Sequence, residues 1–168
     1  GVRVMAKGKE IARGRVGNSG IVVVTVRLVG IKDVAKMATM KHGEVWVTER
    51  FDDPAHDKYL KQASALVTDQ GGVTSHAAVA SKVIGIPAVV GTIEATSVLK
   101  EGQTVVVDGY AGVDPGTGKS YGAIYEYIPD QPGAAPAKLT LAERIAMIAA
   151  AQGKPIPPGI LEKQKKLE

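Results

Sequence analysis

One short segment of this chain concentrates residue types that could do chemistry: Thr68–Asp69–Gln70–Gly71–Gly72–Val73–Thr74–Ser75–His76–Ala77–Ala78. Gly71 and Gly72 permit close backbone approach and conformations barred to other residues. Thr74 and Ser75 are good N-cap residues, and a helix starting there carries His76 in its first turn. Unpaired amide groups and the positive end of the helix dipole favour an anion at that position. The hydroxyls of Thr74 and Ser75 could donate to the same anion. Ala77, Ala78 and Ala80 keep the surroundings small, so that another protein surface could reach the ring.

An anion bonded to His76 itself would be a phosphoimidazole. A neutral imidazole is a competent nucleophile towards phosphorus near neutral pH. One ring nitrogen attacks while the other keeps its proton by donating to an acceptor. Asp69 and backbone carbonyls are both candidates for that acceptor. A plainer reading stands beside this one. A single histidine after a Gly-Gly turn also suits a helix cap or a surface position, and the glycines also suit a tight strand-to-helix turn.

The elements that must position this segment follow from the hydrophobic pattern. Val2–Ala12 alternates weakly, as a strand with a turn at Lys7–Gly8–Lys9, and Arg13–Gly20 reads as loop. Ile21–Val29 is β-branched and reads as a buried strand. Ile31–Met40 has helical spacing. Glu44–Thr48 is a strand with Val45 and Val47 on one face and Trp46 on the other, half-buried or at a contact surface. Pro54–Ala63 is a helix with proline in its first turn. Ala65–Thr68 is a strand, Ser75–Ile84 a helix stopped by Gly85, and Ile86–Val90 a strand. One helical turn over Ala95–Leu99 precedes strands at Thr104–Asp108 and Ala123–Tyr127, joined by a Gly-rich loop. The order predicts a mixed α/β domain over residues 1–128. Residues 129–168 form an appendage. Pro129–Ala137 is a linker rich in Pro and Ala, and Leu139–Ala151 an apolar helix whose Thr140 and Glu143 make a capping box, before a charged end. That helix needs a cover: the domain, a further domain, or another subunit of an oligomer.

The 168 residues are 45% hydrophobic but only 4% aromatic, so the core rests on Val, Ile, Leu, Ala and Met. There are 15 basic and 13 acidic residues up to Ile128, and 6 and 4 beyond it. No basic domain stands out, and aromatics are too few for base stacking, which argues against nucleic-acid binding. The chain has no cysteine, which removes disulfides, thiolate catalysis and Cys-based zinc sites. No apolar stretch is long enough to span a bilayer. The expectation is a soluble, cytoplasmic protein. Its first residue is Gly, which suggests a processed end or a fragment of a longer chain.

The run Gly71–Gly72–Val73–Thr74–Ser75–His76–Ala77–Ala78–Val79–Ala80 is followed by Gly85–Ile86–Pro87–Ala88–Val89–Val90–Gly91–Thr92. Together they resemble the signature of the phosphoenolpyruvate-utilising mobile domains, of the phosphoenolpyruvate synthase and pyruvate phosphate dikinase kind. Gly43–Thr48, Gly102–Gly109 with Asp108, and Gly122–Tyr125 extend the resemblance. The family fold is a swivelling β/β/α phosphohistidine domain. The resemblance implies that His76 is the catalytic phosphoryl acceptor, with Gly71, Gly72, Thr74 and Ser75 supporting the phosphate. It implies a shuttle between an ATP-grasp-type nucleotide domain and a phosphoenolpyruvate/pyruvate-binding barrel, with Mg2+ and ATP on those partners and no cofactor on this chain. Phe51–Asp52–Asp53–Pro54 departs from the family's Thr-containing turn, and Lys82 stands where Arg is usual. Two alternatives remain within the resemblance. One is a structural or regulatory copy of the domain, as appended to some pyruvate kinases. The other is a subunit of a multi-chain phosphotransferase with another acceptor.

Other candidates are weaker. His42 and His56 do not combine with His76 in any metal-binding spacing, so no metal site is expected. Asp114–Ser120 ends in Gly-Lys-Ser like a phosphate loop, but lies between two strands with no helix after it, and reads as a hairpin. Asp52, Asp53 and Asp57 read as a solvated face and a helix N-terminus.

Overall fold

Alternation along the strands determines the architecture. Val45 and Val47, Ala65 and Val67, and Val89 pack into one apolar cluster. The residues between them, Trp46, Leu66, Ala88 and Val90, pack into a second. Strands buried on both faces need a layer on each side, as parallel strands in α/β domains do. The computed structural model, which describes residues 7–129, meets this with a closed barrel whose inside is the first cluster and whose outer face is covered by helices.

Seven strands form the barrel: β1 Lys7–Asn18, β2 Ile21–Leu28, β3 Glu44–Thr48, β4 Ala65–Thr68, β5 Ala88–Val90, β6 Thr104–Val113 and β7 Ser120–Tyr127, in the order β1-β5-β4-β3-β2-β6-β7. The pairs β2–β3, β3–β4 and β4–β5 are parallel, with Val47 beside Val67 and Val67 beside Val89. The remaining pairs are antiparallel, and β1 closes the barrel between β7 and β5. Four short helices join them: α1 Val34–Met37, α2 Asp57–Leu60, α3 His76–Ile84 and α4 Ala95–Val98. A 3-10 turn, Pro54–His56, precedes α2. The compact unit is Lys7–Tyr127.

The mixed α/β class read from the sequence is the class observed. Three of its details are corrected. Lys7–Gly8–Lys9 is not a turn and Arg13–Asn18 is not loop; both lie in β1. The glycines that suggested a loop are needed because β1 runs tightly against β5. A Cβ on Gly14 would lie 2.3 Å from the Val90 carbonyl oxygen, and one on Gly17 would lie 2.9 Å from the Ala88 Cβ. The helices predicted over Ile31–Met40 and Pro54–Ala63 shrink to single turns. Trp46 is fully buried in the outer cluster, neither half-exposed nor at a surface. The predicted linker, helix and charged end of the appendage fall beyond Pro129, outside the described residues.

Trp46 anchors the outer layer. Its ring meets Phe51 edge-on at 5.1 Å between centroids, and its Nε1 donates to the Val29 carbonyl at 2.9 Å. Trp46→Ala both opens a cavity and strands that carbonyl. It is expected to cost about 3–5 kcal/mol, read as a lower urea midpoint at unchanged slope.

Candidate functional site

The connection from β4 to α3 is built around one serine. Ser75 takes extended backbone angles, and its Oγ accepts from the Ala78 amide at 3.4 Å, so that the helix begins at His76. The Ser75 hydroxyl also donates to the Gly72 carbonyl at 2.7 Å, and the Ser75 amide donates to the same oxygen at 3.0 Å. Ser75 is therefore spent on holding the loop, and its hydroxyl is not free for a ligand. The capping role falls on Ser75 alone; Thr74 is exposed and its hydroxyl has no partner among the described residues. The amides of His76 and Ala77 likewise have none, as expected for the first two positions of a helix.

The two glycines differ. Gly71 has φ +109° and a Cβ there would meet Ser75 Oγ at 3.0 Å, so a side chain would break the cap. Its carbonyl oxygen lies under Gly91, where a Cβ would come within 2.6 Å. Gly72 is neither crowded nor in a left-handed conformation; its carbonyl is what the loop uses. Ala77, Ala78 and Ala80 are buried and pack α3 closely onto the barrel. They are small for the sake of the core, and being buried they are not the open surroundings through which the sequence expects another protein surface to reach the ring.

The His76 ring is partly open, its side chain 27% exposed. Its Nε2 lies 2.9 Å from Asp57 Oδ1. A carboxylate only accepts, so Nε2 holds a proton and donates it. The neutral ring then keeps its unshared pair on Nδ1. Phe51 stacks parallel to the ring, with 5.9 Å between centroids and 3° between planes. Phe51 is buried and is itself braced by Trp46, so the imidazole is held at one face by the core and at one edge by a charge.

Asp57 is the acceptor that the sequence did not reveal. Asp69, one of the two candidates, turns away from His76: it accepts from the Thr96 amide at 2.9 Å and from the Thr96 hydroxyl. The sequence places Asp57 at a solvated helix N-terminus, and it does open α2. Only the packing of α2 beside α3 turns it towards His76. The other histidines lie apart: His42 Nδ1 is 3.1 Å from Ser64 Oγ, and His56 is 3.9 Å from Asp53.

The outward stripe of α3 carries His76, Val79 and Val83, at i, i+3 and i+7. Val79 is half exposed and Val83 is 83% exposed, and Val73 is also open just before the helix. The ring thus sits at the end of an apolar surface strip.

Asp57→Ala is expected to leave the fold intact and free the ring. The Nε2 proton should exchange with solvent roughly tenfold faster, the lower end of what a hydrogen bond to a charged group contributes. Ring nitrogen and proton NMR would read this, and unchanged exchange would show that Asp57 does not hold the ring.

Residues 40–112 match the family model described as PEP-utilising enzyme, mobile domain. The chain is 44% identical over 108 residues to the phosphoenolpyruvate synthase of Aeropyrum pernix, covering 64% of this chain and 13% of that protein. It is 38% identical over 122 residues to the phosphoenolpyruvate synthase of Escherichia coli, covering 73% of this chain and 15% of that protein. A solved structure of an Enzyme I protein aligns at 32% identity with a TM-score of 0.40, over 48% of this chain and 35% of that one. The matched stretch is thus a small part of the curated relatives, which hold much else besides. Residues 40–112, with His76 at the start of α3, belong to the PEP-utilising enzyme mobile domain family.

Proposed function

We propose that this domain is a phosphoryl carrier, in which His76 takes a phosphoryl group at one partner site and gives it up at another. The observation that carries the reading is the His76 ring itself. It is partly exposed at the first position of α3, with one nitrogen proton fixed by Asp57 and the other nitrogen unshared.

The chemical step balances as a displacement. The unshared pair of a ring nitrogen forms the N–P bond, and the P–O bond to the donor's leaving group breaks, the electron pair leaving with that oxygen. With Nε2 on Asp57, the attacking nitrogen is Nδ1, and the ring presents Nε2 only by releasing Asp57. While Nε2 keeps its proton, the phosphorylated ring gains positive charge, which the Asp57 carboxylate offsets. The unpaired amides of His76 and Ala77 lie where a helix start favours an anion. Thr74 adds a free hydroxyl next to it. Gly71, Gly72 and Ser75 act by shaping the loop.

The donor and acceptor sites lie, in this reading, on partner domains: a nucleotide domain of the ATP-grasp type, holding ATP with Mg2+, and a barrel that binds pyruvate or phosphoenolpyruvate. The names of the relatives and the small share of them that this chain spans support that division. The swivelling of the domain between the two is part of the same proposal, as is a cytoplasmic setting. The open strip of Val73, Val79 and Val83 beside the ring suits contact with each partner in turn.

Incubation with labelled phosphoenolpyruvate, or labelled ATP, and the partner domains of a homologous synthase should place acid-labile, base-stable phosphate on the chain. His76→Ala should reduce it to background with an unchanged circular dichroism spectrum. Equal labelling of the variant, or no label on the wild type, would reject the carrier role.

A further inference from the structure

A second polar site lies beyond the histidine, between β1, the end of β5 and the β6–β7 hairpin. It is a cleft of about 310 Å³, and its lining includes Arg13, Arg15, Lys119, Asp114, Ser120 and Gly91. Three cations thus face one lining carboxylate, and a second, Glu10, already pairs with Arg13. The lining carboxylate is engaged already, since Asp114 Oδ1 accepts from the Gly116 amide at 2.7 Å.

Arg15 is the unusual member. Its Nε is buried and has no hydrogen-bond partner. No carboxylate pairs with it among the described residues. A buried donor left unpaired costs about 1–3 kcal/mol, and more when charged; the Nε itself is covered, but no described residue engages the Arg15 guanidinium, and Arg15 lines the cleft. Its backbone is fixed on both sides, opposite Val90 in β5 and opposite Tyr121 in β7. Arg13 is also held in place, by Glu10 at 2.9 Å and by the Tyr121 ring at 3.8 Å. Lys119 is exposed at the hairpin and has no ion-pair partner among the described residues.

The hairpin is the segment that ends in Gly-Lys-Ser. It is not a nucleotide phosphate loop. The first glycine of that motif would have to fall on Val113, and the backbone amides of Gly116, Gly118 and Lys119 are spent on closing the hairpin. What remains is side-chain chemistry: two guanidinium groups, an ammonium and the Ser120 hydroxyl around a small concavity. Guanidinium forks with a lysine suit a phosphate-type oxyanion.

We infer that this cleft binds a small phosphate-type oxyanion, free or as the phosphate end of a small metabolite. Its position gives the binding a consequence. Gly91 lines the cleft and lies close to the Gly71 carbonyl, where a Cβ would come within 2.6 Å, at the start of the loop that carries His76. An occupant therefore sits one backbone layer from that loop. The inference does not depend on the carrier reading.

The test is a titration of the isotope-labelled 168-residue chain with inorganic phosphate, pyrophosphate, a small phosphate monoester and an acidic peptide, followed by amide NMR at low salt. Saturable shifts are expected at Gly14, Gly91, Ser120 and Tyr121 with phosphate or pyrophosphate, and the monoester decides whether a metabolite tail is accommodated. Arg15→Gln and Lys119→Gln should each weaken binding about tenfold. His76→Ala should leave it unchanged, which separates this site from any binding at the histidine. Lys119 lies at the exposed hairpin, so its variant decides the matter even if Arg15→Gln does not fold. Linear, unsaturable shifts would overturn the inference. So would binding indifferent to Lys119→Gln, shifts confined to Ser75–Ala78 and lost with His76→Ala, or tighter binding of the acidic peptide than of phosphate.

Discussion

The structure depends on burial of both faces of β3, β4 and β5. A strand in such a sheet has no solvent side, so each of its residues must be apolar or paired. Trp46, Leu66 and Val90 are on the outer face and need the helical layer, while Val47, Val67 and Val89 need the barrel. The polypeptide can reach the surface only where these strands stop. Thr68 ends β4, and the loop after it is where the chain is free to present a functional group. The position of His76 follows from that exit and from the cap that restarts the chain as α3.

The ring is then positioned by residues distant in sequence. Phe51 extends the outer apolar cluster to the edge of the site, from Trp46 to the imidazole. Asp57, at the start of α2, supplies the charge that selects which nitrogen keeps its proton. The two contacts have different consequences: the aromatic one limits how the ring tilts, and the carboxylate limits which edge it offers. Neither group reaches the histidine through the loop that carries it. The geometry therefore belongs to the packing of the outer layer.

Local signals in the sequence were reliable where one residue type had a single physical explanation. Glu44–Thr48 and Ala65–Thr68 were read with their observed limits, because short β-branched or alternating runs between turns leave little choice. The stop at Gly85 is legible for the same reason, while the cap is legible only as Thr74 or Ser75, two residue types that serve equally well. β1 was not legible, because glycines that serve close strand contact look like glycines that serve a loop. Asp57 was not legible either. An aspartate opening a helix has a sufficient local explanation, and its bond to His76 spans 19 positions. The small size of the α3 alanines is legible but its purpose is not, since sequence does not say which side of a helix is the outside.

The charge distribution around His76 bears on what a carrier needs. The polar side chain bonded to the ring is a carboxylate, and the cations of Arg13, Arg15 and Lys119 are grouped at the separate cleft. A phosphoryl group on His76 would be met by helix amides and a hydroxyl, with Asp57 steadying the ring and repelling the phosphate. A site that bound the group with several cations would stabilise the intermediate and slow its onward transfer. In the proposed carrier, a site with few attractive contacts would leave transition-state stabilisation to the partner domains, where metal and cationic side chains would act on the group as it arrives or leaves. In such a division of labour, the imidazole must be accurately placed and the phosphate only loosely held. Phe51 and Asp57 act on the ring, and the weak electrostatics of α3 would hold a phosphate loosely, which is the combination that the proposed carrier role requires of one histidine serving two sites.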